Sequence, residues 1–96
     1  MIRYIVHDMN SAREYLKNNS APIEIQNAKG STFYYGMLTV LDMLQTLKSE
    51  FTQVKKIIVD IADDNSALFT ANKLNIANIV YDGRSDAAKL LVANIE

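Results

Sequence analysis

The sequence predicts one small α/β domain: a four-stranded parallel sheet with helices on both faces. Short β-branched runs alternate with longer segments of helical periodicity, the pattern of (βα)4 units. The chain has 96 residues, far below the length of roughly 250 at which chains divide into domains. Because 49% of the residues are hydrophobic, one core can form. We therefore expect residues 1–96 to fold as a single domain.

The four strands are predicted at residues 2–6, 23–26, 56–61 and 76–81. The third contains Ile57, Ile58 and Val59 without a polar break, which is typical of a strand covered on both faces. Right-handed crossovers permit few strand orders, and the most economical doubly wound one is the flavodoxin-like order 2-1-3-4. That order would open a ligand crevice between the first and third strands.

Signals for helix starts follow the predicted strands. Ser11 and Glu14 have the spacing of a capping box at the start of the first helix. Asp64 can cap the third helix, and Ser85 with Asp86 can cap the fourth. These signals support the alternation of strands and helices.

The longest predicted helix covers residues 32–51. At 100° per residue, one wide stripe of this helix faces the sheet and forms core. Its members are Phe33, Met37, Val40, Leu41, Leu44, Leu47 and Phe51. Tyr34, Tyr35 and Leu38 fall outside the stripe and form a partly apolar outer patch. They are either exposed without a role, as single apolar residues often are, or they form a homodimer or protein-partner interface.

Polar residues should gather at one edge of the sheet, because the strand-to-helix loops of a parallel sheet all lie there. They are His7 and Asp8; Lys29, Gly30 and Ser31; Asp60, Asp63 and Asp64; and Asp82, Gly83 and Arg84. One interpretation is that aspartates at helix starts complement helix dipoles. The other is that Asp8 and Asp60 hold Mg²⁺ through carboxylate oxygens and retained waters.

The same edge offers candidates for ligand binding. His7 is the single histidine and is either a general base or a hydrogen-bonded structural group. Lys29, Gly30 and Ser31 precede a helix start that could contact an anion, although they lack the Walker pattern. Gly83 and Arg84 form a similar strand-to-helix junction. Lys29 or Arg84 would then lie near a bound phosphate.

Composition excludes several classes of function. The absence of cysteine excludes disulfides, thiolate zinc sites and a thiol nucleophile. A net charge of −1 gives no reason to expect a nucleic-acid partner. No apolar run approaches the roughly 20 residues that a bilayer requires, and the first residues do not resemble a secretory signal. We therefore expect a cytoplasmic protein with neither a membrane nor a nucleic-acid partner.

Two functional hypotheses lead, and a small-metabolite pocket at the same edge of the sheet is a third that the sequence leaves open. Since no complete catalytic set can be assembled, the first is a non-enzymatic domain that self-associates or docks to a protein partner. The second is magnesium-dependent binding of a phosphoryl group or small anion at the carboxyl edge of the sheet.

Two segments resemble those of short uncharacterised bacterial α/β proteins. The first is Ala-Lys-Gly-Ser at 28–31 with Tyr-Gly at 35–36, and the second is Val-Asp-Ile-Ala-Asp at 59–63 leading into 67–71. Asp60 and Asp63 match the two acids of that pattern, whereas Ile61 and Ala62 replace a cysteine and a glycine. The resemblance covers about residues 28–83 and implies a complete small domain without implying an activity.

A looser resemblance is to response-regulator receiver domains, whose acids after the first and third strands bind magnesium and accept phosphate. Asp8 and Asp60 occupy the matching positions in this sequence. The resemblance therefore implies a magnesium-dependent phosphoryl site. The fifth strand of that family and the lysine that follows it have no counterpart here.

Overall fold

The computed structural model describes residues 1–83, which form a small α/β domain with a four-stranded, wholly parallel sheet. The strands are β1 (Ile2–Val6), β2 (Ile23–Asn27), β3 (Val54–Ala62) and β4 (Ile79–Tyr81). The helices of this range are α1 (Met9–Lys17), α2 (Ser31–Tyr35), α3 (Met37–Glu50) and α4 (Asn65–Lys73). The predicted fold class is confirmed. Arg84, Ser85, Asp86 and the fourth predicted helix lie outside the described residues.

The strand order is β1-β2-β3-β4, which corrects the predicted order 2-1-3-4. Each strand pairs with the next strand in the sequence. Because the right-handed crossovers all proceed in the same direction across the sheet, their helices lie on one face of it. The buried residues of α1, α3 and α4 accordingly form a single core cluster with the strands. Helices on both faces were expected, but within residues 1–83 they cover one face.

Alternating residues of the strands supply the sheet side of this core. Val6, Ile25, Val59 and Ile61 are almost fully buried beneath the helices. The opposite face is more polar, and there Arg3 Nε lies 3.1 Å from a carboxylate oxygen of Glu24 on the neighbouring strand. Burying each large aliphatic side chain contributes about 1.5 to 3 kcal/mol, so the helix-covered face dominates stability.

The predicted helix 32–51 is two helices, α2 and α3, that are separated at Gly36. This residue has φ 84° and ψ 151°, a conformation that glycine adopts far more readily than other residues. In α3 the core stripe is confirmed, with Phe51 partly buried against it. Its buried members are Met37, Val40, Leu41, Leu44 and Leu47. Phe33 was placed wrongly, because the helical phase of α3 does not continue across Gly36, and it is 57% exposed.

Two smaller corrections concern the element boundaries. The N-cap of α1 is Asp8 rather than Ser11, whose backbone N–H donates to Asp8 Oδ1 at 2.7 Å. The fourth strand begins at Ile79, three residues later than predicted, since the positive φ angles of Asn75 and Asn78 interrupt the extended backbone before it. No helix within residues 1–83 is both long and apolar enough to cross a membrane.

Candidate functional site at the carboxyl edge of the sheet

The loops after β2, β3 and β4 bring a lysine and several aspartates together. Lys29 Nζ lies 2.6 Å from Asp82 Oδ2. The hydrogen bond and charge of Asp82 raise the pKa of Lys29, and the charges of Asp60 and Asp63 add to this. Because β3 lies between β2 and β4, the Lys29 side chain spans the end of β3. Lys29 and Asp82, two of the residues predicted at this edge, are therefore in contact across the end of β3.

The buried carboxylate of this edge belongs to Asp60, which is 6% exposed. Asp60 Oδ1 accepts from the backbone N–H of Ala62 at 2.8 Å, and Oδ2 accepts from Gln26 Nε2 at 3.2 Å. Ala62 has φ 49°, and the pairing of β3 with β4 shifts register between Asp60 and Ala62. The carboxylate thus holds an irregular strand end in place.

The Asn27 side chain both accepts a hydrogen bond from the backbone of Asp60 and donates one to it. Asn27 Oδ1 accepts from the Asp60 N–H at 2.7 Å, and Asn27 Nδ2 donates to the Asp60 carbonyl at 2.8 Å. Asn27 Nδ2 also donates to Ser31 Oγ at 2.8 Å. These bonds join β2, β3 and the start of α2. We refer to Gln26, Asn27, Lys29, Asp60 and Asp82 as the edge network.

Asp8 lies apart from Asp60. It is exposed and caps α1, and the backbone N–H of Ser11 holds the pKa of Asp8 below its ordinary value. Because β2 lies between β1 and β3, the two carboxylates follow strands about 10 Å apart. The predicted magnesium pair required neighbouring strands, and the structure does not bring it together. Within residues 1–83, no group of three or more His, Asp or Glu side chains is placed to hold a metal ion.

The helix-dipole interpretation of the charged residues has direct structural support. Asp8 and Asp64 are the N-caps of α1 and α4, and the Asp64 carboxylate accepts from the Ala67 N–H at 3.0 Å. Lys17, Lys48 and Lys73 lie in the last turns of α1, α3 and α4. Each charge is thus placed where the helix dipole favours it.

The remaining predicted ligand residues do not form a phosphate site in the described range. His7 is exposed and, with Ser31 and Tyr35, borders a small depression. Gly30 has φ 85° and precedes α2, a helix of only five residues. Gly83 is the last described residue, and Arg84 lies beyond it.

A cavity of about 310 Å³ lies between the starts of α3 and α4, and the sequence analysis did not predict it. Its lining residues are Thr32, Gly36, Met37, Leu38, Thr39, Asp64, Ser66, Ala67 and Thr70. Thr32 is 3% exposed, and its hydroxyl has no hydrogen-bond partner within the described residues 1–83. Gly36, an isolated glycine within the predicted helix 32–51, is the sequence signal that could have indicated this break in the helix.

The two helix starts at the cavity differ in their capping. Asp64 caps α4, whereas no side chain caps α3 because its N-cap is Gly36. The first backbone bond of α3 runs from the Val40 N–H to the Gly36 carbonyl at 3.1 Å. The preceding N–H groups therefore lack partners within the helix, and the positive end of the α3 dipole faces this region.

Four large side chains near the same helix break are exposed. Phe33, Tyr34, Tyr35 and Leu38 are 57%, 86%, 58% and 62% exposed, and we refer to them as the aromatic patch. The predicted exposure of Tyr34, Tyr35 and Leu38 is confirmed. Together the four expose about 500 Å², in the range of the largest apolar patch of a typical monomer, and such patches often have a role.

Comparison with known proteins identifies a bacterial relative. The sequence is 39% identical over 93 residues to the uncharacterised protein RP547 of Rickettsia prowazekii (strain Madrid E). The alignment covers 96% of this chain and 88% of that protein, so it spans nearly the whole of both. No protein-family model and no solved structure matches the sequence. The predicted resemblance to short uncharacterised bacterial proteins is thereby confirmed, and the chain belongs to the same family as RP547.

Proposed function

We propose that this protein is a non-enzymatic domain that forms a homodimer through the aromatic patch. The observation that carries the proposal is the exposure of Phe33, Tyr34, Tyr35 and Leu38 within six residues of chain. Tyrosine is enriched at protein interfaces because its ring buries apolar area while its hydroxyl can stay hydrated or bonded. The patch therefore has the composition of an interface core.

The segment that carries the patch has no charged side chain, which favours a second copy of the chain as the partner. Residues 30–41 contain no acidic or basic side chain. In a two-fold symmetric contact, residues near the axis face their own copies, so a charged patch would repel itself. An uncharged aromatic patch meets no such repulsion. It also lacks the basic residues by which surface helices bind anionic membranes.

The size of the patch sets the expected strength of the dimer. Two patches of about 500 Å² bury roughly 1,000 Å² together, which is at the lower limit for a specific interface. Affinity depends on packing quality as well as area, but an interface this small is typical of a transient complex. We therefore expect a dissociation constant in the micromolar range or weaker.

The edge network supports the non-enzymatic part of the proposal. The Asp60 carboxylate is bound by Gln26 and the Ala62 N–H, and Lys29 is paired with Asp82. A general base or nucleophile must be able to reach a substrate, and these groups are already engaged by one another. We place the protein in the cytoplasm, and its lack of cysteine suits that reducing compartment.

Sedimentation velocity over a range of protein concentrations tests the dimer. We expect the mean mass of the wild-type chain to rise with concentration, and Tyr34→Ala to weaken association at least tenfold because it removes an interface aromatic. Phe69→Ala is the matched control, since Phe69 is an aromatic residue of α4 that is 54% exposed and lies outside the patch. This control should associate like the wild type.

Two results would refute the dimer. One is a wild-type chain that stays monomeric at every concentration. The other is a Phe69→Ala variant that weakens association as strongly as Tyr34→Ala, because the contact would then not depend on the patch. A comparison of Tyr35→Ala with the wild type adds a second residue of the patch.

A further inference from the structure

The cavity between α3 and α4 combines three features that a ligand would satisfy. The hydroxyl of Thr32 is buried without a partner in the part of the chain that the structure describes. The start of α3 has no side-chain cap. The third feature is the Asp64 carboxylate, which also lines the cavity and uses only Oδ1 in hydrogen bonding within residues 1–83.

An unpartnered buried hydroxyl is the strongest of these features. A buried polar group without a hydrogen bond costs about 1 to 3 kcal/mol, so native structures rarely retain one. Thr32 belongs to the wall of a cavity rather than to a sealed core. A ligand in the cavity could therefore supply the missing partner.

The start of α3 favours a negatively charged group. Its unpaired N–H groups and helix dipole form a region of positive potential, which binds carboxylates and phosphates. Met37, Leu38 and Thr39 begin this helix of 14 residues, and all three line the cavity. The groups that would hold an anion thus belong to the cavity wall.

The other wall favours a positively charged group. Asp64 contributes a carboxylate, and among residues 1–83 no lysine or arginine lines the cavity. A dianionic phosphate would meet this negative charge without a cation to offset it. A ligand that carries a carboxylate and an ammonium group satisfies both walls and brings no net charge.

The size of the cavity and its remaining residues agree with such a ligand. Its volume of about 310 Å³ is some ten times the ~30 Å³ that one water molecule occupies in the liquid, which is enough for a small organic molecule. Thr39, Ser66 and Thr70 add hydroxyl groups, and Met37 and Ala67 add apolar surface. This mixture of a few polar groups and apolar contacts is typical of small-molecule sites.

We propose that this cavity binds a small zwitterion of the amino-acid class. The start of α3 and the Thr32 hydroxyl hold its carboxylate, and Asp64 holds its ammonium group. The site is distinct from the proposed dimer contact, although Leu38 belongs to both the cavity wall and the aromatic patch.

Titration followed by backbone amide NMR shifts tests the site. The probes are the common L-amino acids, each added separately, with acetate, methylammonium and inorganic phosphate as comparators. We expect at least one amino acid to shift the amides of Met37, Leu38, Thr39 and Ala67 at lower concentration than any comparator. The titration is repeated on the Tyr34→Ala chain, so that its result does not depend on self-association.

Two variants assign the roles within the site. Asp64→Asn keeps an oxygen that can cap α4 but removes the charge, so it should weaken amino-acid binding at least tenfold without weakening acetate binding. Thr32→Val should also weaken amino-acid binding at least tenfold while leaving the urea midpoint unchanged or raised, since it removes an unpaired buried hydroxyl. Thr46→Val, near the other end of α3, is the matched control and should bind like the wild type.

Each contrary outcome refutes the proposal. If no amino acid shifts the cavity amides, there is no such site. Stronger shifts with phosphate than with any amino acid would show an anion site instead. Equal binding by Asp64→Asn and the wild type would show that the ammonium group is not recognised there.

Discussion

The edge network and the cavity lie near the same edge of the sheet, but they differ in whether their polar groups have hydrogen-bond partners in the chain. In the edge network, both Asp60 carboxylate oxygens, the Asn27 amide and the Lys29 ammonium have partners in the chain. In the cavity, and within residues 1–83, the Thr32 hydroxyl has no partner and the start of α3 has no side-chain cap. The charged residues that look catalytic in the sequence thus have a structural role. The polar groups without partners lie instead near Thr32 and Gly36.

This difference follows from how polar groups are stabilised in proteins. A buried carboxylate costs several kcal/mol unless it is hydrogen-bonded, so Asp60 is found where donors can reach it. A helix start tolerates unpaired N–H groups when water or a ligand can reach them. Residue type alone therefore does not distinguish a structural cluster from a binding site; the pairing of each polar atom does.

The largest expected effect is on the edge network, through Asn27→Ala. The change leaves the Asp60 N–H and carbonyl without partners in a buried position, at about 1 to 3 kcal/mol each. A loss of roughly 2 to 6 kcal/mol is a large part of the 5 to 15 kcal/mol typical of a small domain. Urea denaturation measures it as a lower midpoint at an unchanged slope.

The matched control for this prediction is Asn10→Ala. Asn10 is an exposed residue of α1. Its replacement should change the free energy of unfolding by no more than about 0.5 kcal/mol. If Asn27→Ala were equally mild, the edge network would not be structural, and its contrast with the cavity would disappear.

A smaller effect is expected at the cavity, through Gly36→Ala. A Cβ at Gly36 would have no neighbouring atom within 4 Å, so crowding does not explain the glycine. Its φ of 84° and ψ of 151° would instead strain any other residue by about 1 to 3 kcal/mol. Gly30→Ala is the matched control, because φ 85° and ψ −6° are nearer the left-handed helical region and should cost less. A greater loss of stability in Gly30→Ala would contradict this account.

These residues also show what the sequence can predict. The bounds of β1 follow from periodicity, and so does the core stripe of α3, because both depend on local spacing. The order of the strands does not follow from periodicity, since the spacing of residues within one strand does not determine which strand lies beside it. The predicted Asp8–Asp60 pair failed for that reason, whereas Lys29 and Asp82 meet because Lys29 is long enough to span β3.

The cavity was missed for a different physical reason. The apolar residues on the two sides of Gly36 continue one helical stripe, so the pattern predicts a single helix over 32–51. The backbone instead departs from helical geometry at Gly36. A new helix start forms there without a side-chain cap. Its unpaired N–H groups belong to the backbone, so residue types in the sequence do not predict them.

The smallest expected effect concerns the capped start of α1, the counterpart of the uncapped start of α3. The Ser11 N–H stabilises the ionised form of Asp8, so its folded-state pKa lies below the ordinary value of 3.8. The resulting stability is fully present above that value and is lost as the pH falls through the folded-state pKa. Asp8→Asn keeps an oxygen acceptor but cannot titrate there, so its urea midpoint should fall less on acidification than that of the wild type. The matched control is Asp42→Asn, since Asp42 is an exposed residue of α3. The urea midpoint of this variant should fall on acidification as much as that of the wild type. Parallel curves for Asp8→Asn and the wild type would show that the cap does not depend on the charge of Asp8, and α3 would then differ from α1 only in lacking an acceptor.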